Sequence, residues 1–283
     1  MKNTVKIKCP AKINLTLEIV NRREDGFHNI KSIMQMISLY DYLTIYFKES
    51  FENEILLSGT SSEIPYNEKN LVYKAADLFL KEAKLKGLSV NIHIEKNIPI
   101  AAGLAGGSTD AAGTLFGLNY LLNVFNDEKL NELCSKLGSD LNVCLNGGTI
   151  LATSRGEITE KVKNIQSELT LVKPKSLGIS AGEAYSKYAK KEFKPQKNMT
   201  EKMLEAINNN KNIEACLYND LEYAIFDDYK ELQEIKRVYP NSIMSGSGST
   251  YFVLENIEKS KMTDEYLFIN NLKFIPKGVS ICD

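Results

Sequence analysis

The chain has 283 residues, of which 43% are hydrophobic and 25% charged, with a formal net charge of −1. That length suits one large domain or two modest ones around a substantial core, and a near-neutral balance argues against a nucleic-acid partner held by bulk charge, leaving only local basic patches. Cys9, Cys134, Cys144, Cys216 and Cys282 are scattered with no Cys-x-x-Cys pair, and His28 and His93 are the only histidines, so reduced thiols in a cytoplasmic protein are expected rather than a disulfide frame or a zinc site.

The first ten residues lack the apolar core of a signal peptide, and no later run approaches the ~20 residues needed to span a bilayer. Segments 5–9 and 13–20 read as strands, the second alternating Ile13, Leu15, Leu17 and Ile19 against Asn14, Thr16 and Glu18. Pro10 cannot donate to a ladder, which predicts a sheet edge or a bulge. Lys12 and Asn14, two apart, then share one strand face; taken singly, a strand lysine is simply solvated. Asp25-Gly26 signals a turn. Phe27 and His28 follow it, presenting a flat apolar face beside a ring nitrogen, although a surface hairpin could carry the same pair. Strand-like segments continue at 32–39, 42–47 and 54–57. Asn70 is placed to cap a helix with Leu71, Ala75, Leu78 and Phe79 on one face and Gly87 at its end.

The most informative stretch comes next. Segment 89–94 alternates as a strand, and Ala111, Ala112, Leu115, Leu118 and Leu122 recur at helical spacing. Between them runs Pro99-Ile100-Ala101-Ala102-Gly103-Leu104-Ala105-Gly106-Gly107-Ser108-Thr109. Its glycines let backbone approach a ligand closely, and Ser108 or Thr109 is expected to cap the helix, whose first amides attract anions, phosphate above all. It is neither a P-loop, since no Gly-Lys-Ser/Thr follows, nor a Gly-x-Gly-x-x-Gly dinucleotide turn. A helix from Asp127 stops at Gly138. In Gly138-Ser139-Asp140 the aspartate stands where another short helix could begin, so that a plain N-cap explains it as a lone residue. Gly147-Gly148 precedes a strand at 149–153.

In the second half, 169–173 reads as a strand, and Ser180 with Glu183 forms a capping box opening a helix with Tyr185 and Tyr188. Segment 192–200 reads as a flexible loop. Helical patterns fill 200–209, 213–218 and 221–238, and short strands at 242–244 and 250–254 flank Ser245-Gly246-Ser247-Gly248-Ser249. A helix near 258–266 and a last strand at 272–281 complete the β-α-β-β-α-β order of ferredoxin-like folds.

In chain order, Pro-Ala-Lys12-Ile-Asn14-Leu, Asp-Gly-Phe27-His28, the glycine-rich loop, Gly-Ser-Asp140 and Ser-Gly-Ser-Gly-Ser resemble the GHMP kinases over nearly the whole chain. The resemblance implies an α+β, two-lobed GHMP kinase fold, with a ribosomal-S5-like N-terminal lobe (1–155) that binds ATP and substrate and a ferredoxin-like C-terminal lobe (156–283). It implies ATP-dependent phosphorylation of a cytidine-diphosphate alcohol in isoprenoid precursor synthesis by the methylerythritol phosphate route. Lys12 and Asp140 would be the catalytic pair. ATP would be held by the loop from Pro99 to Thr109 with Asn70 and Lys96, and Mg²⁺ by the ATP phosphates with Ser108 or Thr109. The substrate would meet Asn14, Phe27, His28, Tyr185, Gly246, Ser247 and Gly248, its base stacked between Phe27 and Tyr185. A cytoplasmic monomer or weak homodimer, without membrane or nucleic-acid partner, completes the expectation.

Ala101 and Ala105 stand where this family often has glycine and are expected at ordinary negative φ. Leu141-Asn142-Val143-Cys144 replaces the family's common Val-Pro-Phe-Phe after the aspartate, which puts the packing behind Asp140 in question. A kinase of a simpler alcohol, homoserine or mevalonate, would use the same loop but leave Phe27, His28 and Tyr185 without a task. A non-catalytic sensor would not need both Lys12 and Asp140.

Overall fold

The computed structural model describes residues 3–192 and 198–282; part of the expected flexible loop, 193–197, lies outside them. The fold is built on β3 (His28–Glu49), a strand of 22 residues. Alternation predicted two strands here, at 32–39 and 42–47. They are one because Asp41, buried between them, stays extended and its carboxylate accepts the Ile98 N–H at 2.8 Å. β1 (Thr4–Asn14) runs antiparallel along one edge of β3, and β2 (Thr16–Arg22) continues that edge beyond a bend at Leu15. The single strand expected at 13–20 therefore begins in β1 and ends in β2.

The opposite edge of β3 carries β5 (Leu88–Glu95) and β6 (Thr149–Ser154). β4 (Glu54–Gly59) lies parallel to β5, and β7 (Ile158–Lys161) lies outside β6. Onto this sheet pack α1 (Leu71–Glu82), α2 (Gly106–Leu122), α3 (Asp127–Leu137) and α4 (Leu141–Asn146). Asn70 caps α1 by accepting the Val72 N–H at 2.9 Å. The helix ends at Glu82, before Gly87, because Lys84 at φ +53° has already turned the chain.

The second sheet has the antiparallel order β10 (Ile243–Met244), β11 (Tyr251–Val253), β8 (Glu168–Pro174), β12 (Tyr266–Lys273). Around it lie α5 (Ala181–Lys190), α6 (Met199–Asn208), α7 (Asp220–Ile225) and α8 (Lys230–Val238). Four expectations fail in this half. The helix over 213–218 contracts to one 3₁₀ turn, Glu214–Cys216. The long pattern at 221–238 breaks between α7 and α8, where Gln233 Nε2 donates to the carbonyls of Phe226 and Asp227. No helix forms near 258–266, where Ser260 Oγ takes the Met262 N–H and Tyr239 Oη the Lys261 N–H, competing with helical bonding. The strand expected at 272–281 is the end of β12 and a separate β13 (Ser280–Ile281), which pairs with β1. β9 (Tyr218–Asn219) likewise crosses to lie parallel to β2. Among the described residues no helix is long and apolar enough to cross a membrane.

One irregularity positions the site. The β1–β3 register shifts between Pro10 and Ala11, where a residue without an N–H would interrupt the ladder. Before the shift, Ile7 and Cys9 lie under Gly113 and Gly117 of α2. After it, Ala11 and Ile13 join a core shared by both lobes, with Leu169, Leu171 and Phe252 of the second sheet. A slip of register changes the face each side chain meets, and Lys12 and Asn14 are thereby turned into the space between the lobes.

Candidate active site

A cleft of about 880 Å³ runs between the lobes. At its inner end Lys12, with a side chain only 4% exposed, lies 3.5 Å from the carboxylate of Asp140. Lys12 Nζ also donates to Asn14 Oδ1 at 2.6 Å and to the Gly103 carbonyl at 3.2 Å. An amine so buried needs such partners. Asn14 is held in turn, its Nδ2 donating to Ser32 Oγ at 2.8 Å and its N–H to Ser245 Oγ at 3.4 Å.

Asp140 precedes α4, yet its side chain makes no capping bond. The carboxylate faces the cleft instead. The unusual Leu141-Asn142-Val143-Cys144 forms the first turns of α4, and Leu141, Val143 and Cys144 are fully buried, so this packing does anchor Asp140. Burial, with the Asp140 charge nearby, pushes the Cys144 thiol far above its usual range.

The glycine-rich loop departs from expectation in two ways. Ala101 and Ala105 sit at φ +49° and +58°, not at negative φ. An L-residue there costs roughly 1–2 kcal/mol, imposed by the loop's contacts: Ala102 and Leu104 are buried, and the Leu104 carbonyl accepts the Lys12 N–H at 3.1 Å. Secondly, neither Ser108 nor Thr109 caps α2. The helix begins at Gly106 behind Ala105, with no side-chain cap, so its first amides remain available to an anion. Ser108 lines the cleft, whereas Thr109 is fully buried.

The two glycine-rich loops meet. A Cβ on Gly103 (φ +73°) would lie 2.0 Å from the Ser245 carbonyl oxygen, and one on Gly246 3.2 Å from Lys12 Nζ. Ser245 Oγ donates to the Gly103 carbonyl at 2.9 Å, and Asn219 Nδ2 donates to the Gly246 carbonyl at 2.8 Å. Gly246 and Ser247 line the cleft, while Gly248 turns toward Met244 and Ile179. Ser32 and Asn219 carry no local signal in the sequence, and Ser245 stands in the glycine-serine motif without being marked as a ligand of the site.

Asn70 and Lys96 lie off the cleft surface. Asn70 spends both ends on structure, capping α1 and donating to the Pro65 carbonyl at 2.7 Å. Lys96 is buried between Asp41 and Asp110, directly beneath the loop: a Cβ on Gly106 would lie 2.8 Å from its Nζ. Burial alone would lower the Lys96 pKa, but the carboxylates of Asp110 and Asp41 outweigh it and hold it raised. Burial pushes Asp110 up to about 7, against the pull of Lys96.

At the outer end, Ser180 caps α5 by accepting the Glu183 N–H at 3.1 Å, presenting Tyr185 to the cleft. The Tyr185 ring stacks on His28, centroids 5.1 Å apart and planes 16° from parallel. Burial, then the Asp140 and Asp220 charges, push its phenol far above the usual range. Phe27 is 55% exposed and carries the Arg155 guanidinium 5.3 Å from its ring centroid. Arg155 is a further residue that the sequence did not single out.

The chain is similar to known proteins along nearly its whole length. The GHMP kinases N terminal domain matches residues 70–150. The 4-diphosphocytidyl-2-C-methyl-D-erythritol kinase of Clostridioides difficile is 35% identical over 294 residues, covering 98% of each chain. That of Caldanaerobacter subterraneus is 37% identical over 291 residues, covering 98% of this chain and 99% of the relative. A crystal structure of a 4-(cytidine 5'-diphospho)-2C-methyl-D-erythritol kinase superposes with a TM-score of 0.72 at 33% identity, over 88% of this chain and 89% of that one. A homoserine kinase from Cytophaga hutchinsonii reaches a TM-score of 0.76 at 14% identity, covering 100% of this chain and 98% of its own, which shows the shared fold alone.

Proposed function

This chain belongs to the 4-diphosphocytidyl-2-C-methyl-D-erythritol kinases, within the GHMP kinases, and from that premise we propose how its own residues carry the reaction. The enzyme transfers the γ-phosphoryl group of ATP to the 2-hydroxyl of 4-diphosphocytidyl-2-C-methyl-D-erythritol, giving the 2-phosphate and ADP in isoprenoid precursor synthesis. One observation carries the residue assignment: a carboxylate that could have capped a helix faces a buried lysine 3.5 Å away, at the inner end of the cleft.

The substrate hydroxyl gives its proton to Asp140 as its oxygen bonds to the γ-phosphorus and the bond to ADP breaks. Lys12 stabilises the charge that develops between them, and Asn14 and the Gly103 carbonyl hold Lys12 in place. The loop from Pro99 to Ser108 wraps the ATP phosphates against the uncapped start of α2. Lys96 acts from beneath that loop rather than by touching adenosine, and Asn70 by setting α1. No three His, Cys, Asp or Glu side chains among the described residues form a metal-holding group. We therefore assign Mg²⁺ to the ATP phosphates, with Ser108, the hydroxyl of the glycine-rich loop that lines the cleft, as the residue that would hold it; when bound, the ion would neutralise phosphate charge. The cytosine takes the end bearing Phe27, His28 and Tyr185; the sandwich expected between Phe27 and Tyr185 is instead a stack of His28 on Tyr185, which the base would have to part. A pocket built to hydrogen-bond a base rejects alcohols that lack it.

The lobes divide near residue 155, with β7, β9 and β13 binding the second half of the chain to the first sheet. Five free cysteines suit a cytoplasmic enzyme. A coupled assay of ADP release across candidate alcohols tests the reading. ADP should appear with the diphosphocytidyl alcohol and not with homoserine or mevalonate; the reverse pattern would overturn it.

A further inference from the structure

A cytidine-diphosphate alcohol brings a diphosphate that must lie between its base and its polyol. In the cleft, that places it between the Phe27 end and the Lys12–Asp140 end. Lys12 is already engaged by Asp140, Asn14 and the Gly103 carbonyl. Arg22, Arg155 and Lys190 also line the cleft among the described residues. Arg22 and Lys190 are exposed, and no described residue pairs with either side chain.

Arg155 is different because three contacts fix it. Its guanidinium lies over the Phe27 ring, and its Nε is 3.4 Å from Glu157 Oε1. Glu157 also accepts the Arg155 N–H at 2.8 Å and the Ser154 hydroxyl at 3.0 Å, closing the turn on itself. The next residue, Gly156 (φ +116°), packs on the catalytic segment: a Cβ there would lie 3.3 Å from Ser139 Cβ, one residue before Asp140. The turn thus spans from the ring at the base end to the segment bearing the catalytic carboxylate. Neither Nη of Arg155 donates to any described residue. The nearby Asp25 carboxylate feels its charge but is taken up by Arg23 and the Phe27 N–H. A held guanidinium with both Nη groups open suits a phosphate, which it can grip bidentately.

We infer that Arg155 binds the diphosphate of the substrate and sets the preference for a cytidine diphosphate over a bare nucleoside. This assignment rests on the substrate reading above. The competing role is mechanical, with Arg155 merely propping the Phe27 ring. Calorimetric binding of CDP and of cytidine to wild type, Arg155→Ala and Arg155→Lys separates these roles. Arg155→Ala should weaken CDP at least about tenfold, the scale of a lost charge-assisted hydrogen bond, and leave cytidine within about twofold. Arg155→Lys should recover part of the CDP affinity as a point charge. In turnover, Arg155→Ala should raise KM for the diphosphocytidyl alcohol with little change in kcat, the mark of binding lost equally from ground and transition states. Equal losses for CDP and cytidine, or no loss for CDP, would overturn the assignment while the substrate reading stands. Wild-type protein that binds neither would overturn both.

Discussion

Asp140 shows how far a single side chain is decided by what faces it. Asparagine caps a helix about as well as aspartate, and here the carboxylate makes no cap at all, so Asp140→Asn should fold, losing only what the ion pair with Lys12 contributes. An amide cannot take the hydroxyl proton, and general-base catalysis is worth about 10²- to 10⁴-fold. Turnover, measured where chemistry limits the rate, should fall at least ~10²-fold with ATP binding kept. A variant retaining half of wild-type turnover would send the search for the base elsewhere. Ala101 makes the opposite point about backbone. It is exposed at φ +49°, and relief of roughly 1–2 kcal/mol of left-handed strain outweighs the ~0.5–1 kcal/mol entropy cost of glycine. Ala101→Gly should therefore add up to about 1 kcal/mol to the unfolding free energy, read as a higher denaturant midpoint; a clear loss of stability would mean that the methyl group packs.

Among elements, the closest fit is α2 on the first sheet. Gly113 meets Cys9 so tightly that an added Cβ would lie 2.4 Å from its Sγ, and Gly117 meets Ile45 likewise at 2.6 Å. Alanine is the better helix former by about 1 kcal/mol, yet overpacking costs typically 1–3 kcal/mol. Gly113→Ala should come out destabilised in chemical unfolding, and a gain would show that α2 can lift away. Where β3, β5 and α2 meet, Asp41, Lys96 and Asp110 form a buried cluster. Asp110 binds its proton up to about pH 7 in the folded chain, against an ordinary 3.8. Between those values the folded state holds a proton that the unfolded state lacks, so the stability this group contributes is full below about 4 and is lost as pH rises toward 7. Lys96, with its pKa raised, stays charged throughout. At about 1.4 kcal/mol per unit the change is on the order of a few kcal/mol. Unfolding midpoints from pH 5 to 8 should decline in wild type and lose that slope in Asp110→Asn; identical slopes would place the titration at another group.

At the scale of the whole molecule, the lobes are joined by a common core on one side and open into the cleft on the other. Ala11, Ile13 and Leu15 share that core with Leu169, Leu171 and Phe252, and Asn219 ties the Ser245–Ser249 loop back to α7 through bonds to the Gly246 carbonyl and the Leu221 N–H. A ligand filling the cleft stabilises this arrangement as a unit. CDP at 100 times its dissociation constant should add about 2.7 kcal/mol and raise Tm accordingly, whereas homoserine and mevalonate at the same concentration should not. A shift with either of those and none with CDP would contradict the substrate assignment.

Much of this was legible in the chain itself, because some physics is local. The spacing of Lys12 and Asn14 puts them on one strand face, Asn70 and Ser180 cap the helices that follow them, and the glycine-rich loop ends at a helix start, each determined within a few residues. The GHMP fold followed from the order of such motifs. What needed the tertiary structure was whatever depends on segments far apart meeting. Pairing with β1, β5 and β6 carries β3 through Asp41, where alternation suggested two strands. Contacts from β1 and the Ser245 loop force Ala101 and Ala105 into a conformation that propensity disfavours. Asp140 faces Lys12 rather than its own helix, and Tyr185 stacks on His28 while Arg155 takes the face of Phe27. Local sequence sets what a residue can do; closure of the chain sets which partner it meets, and here the choice between helix cap and catalytic base was made by that closure.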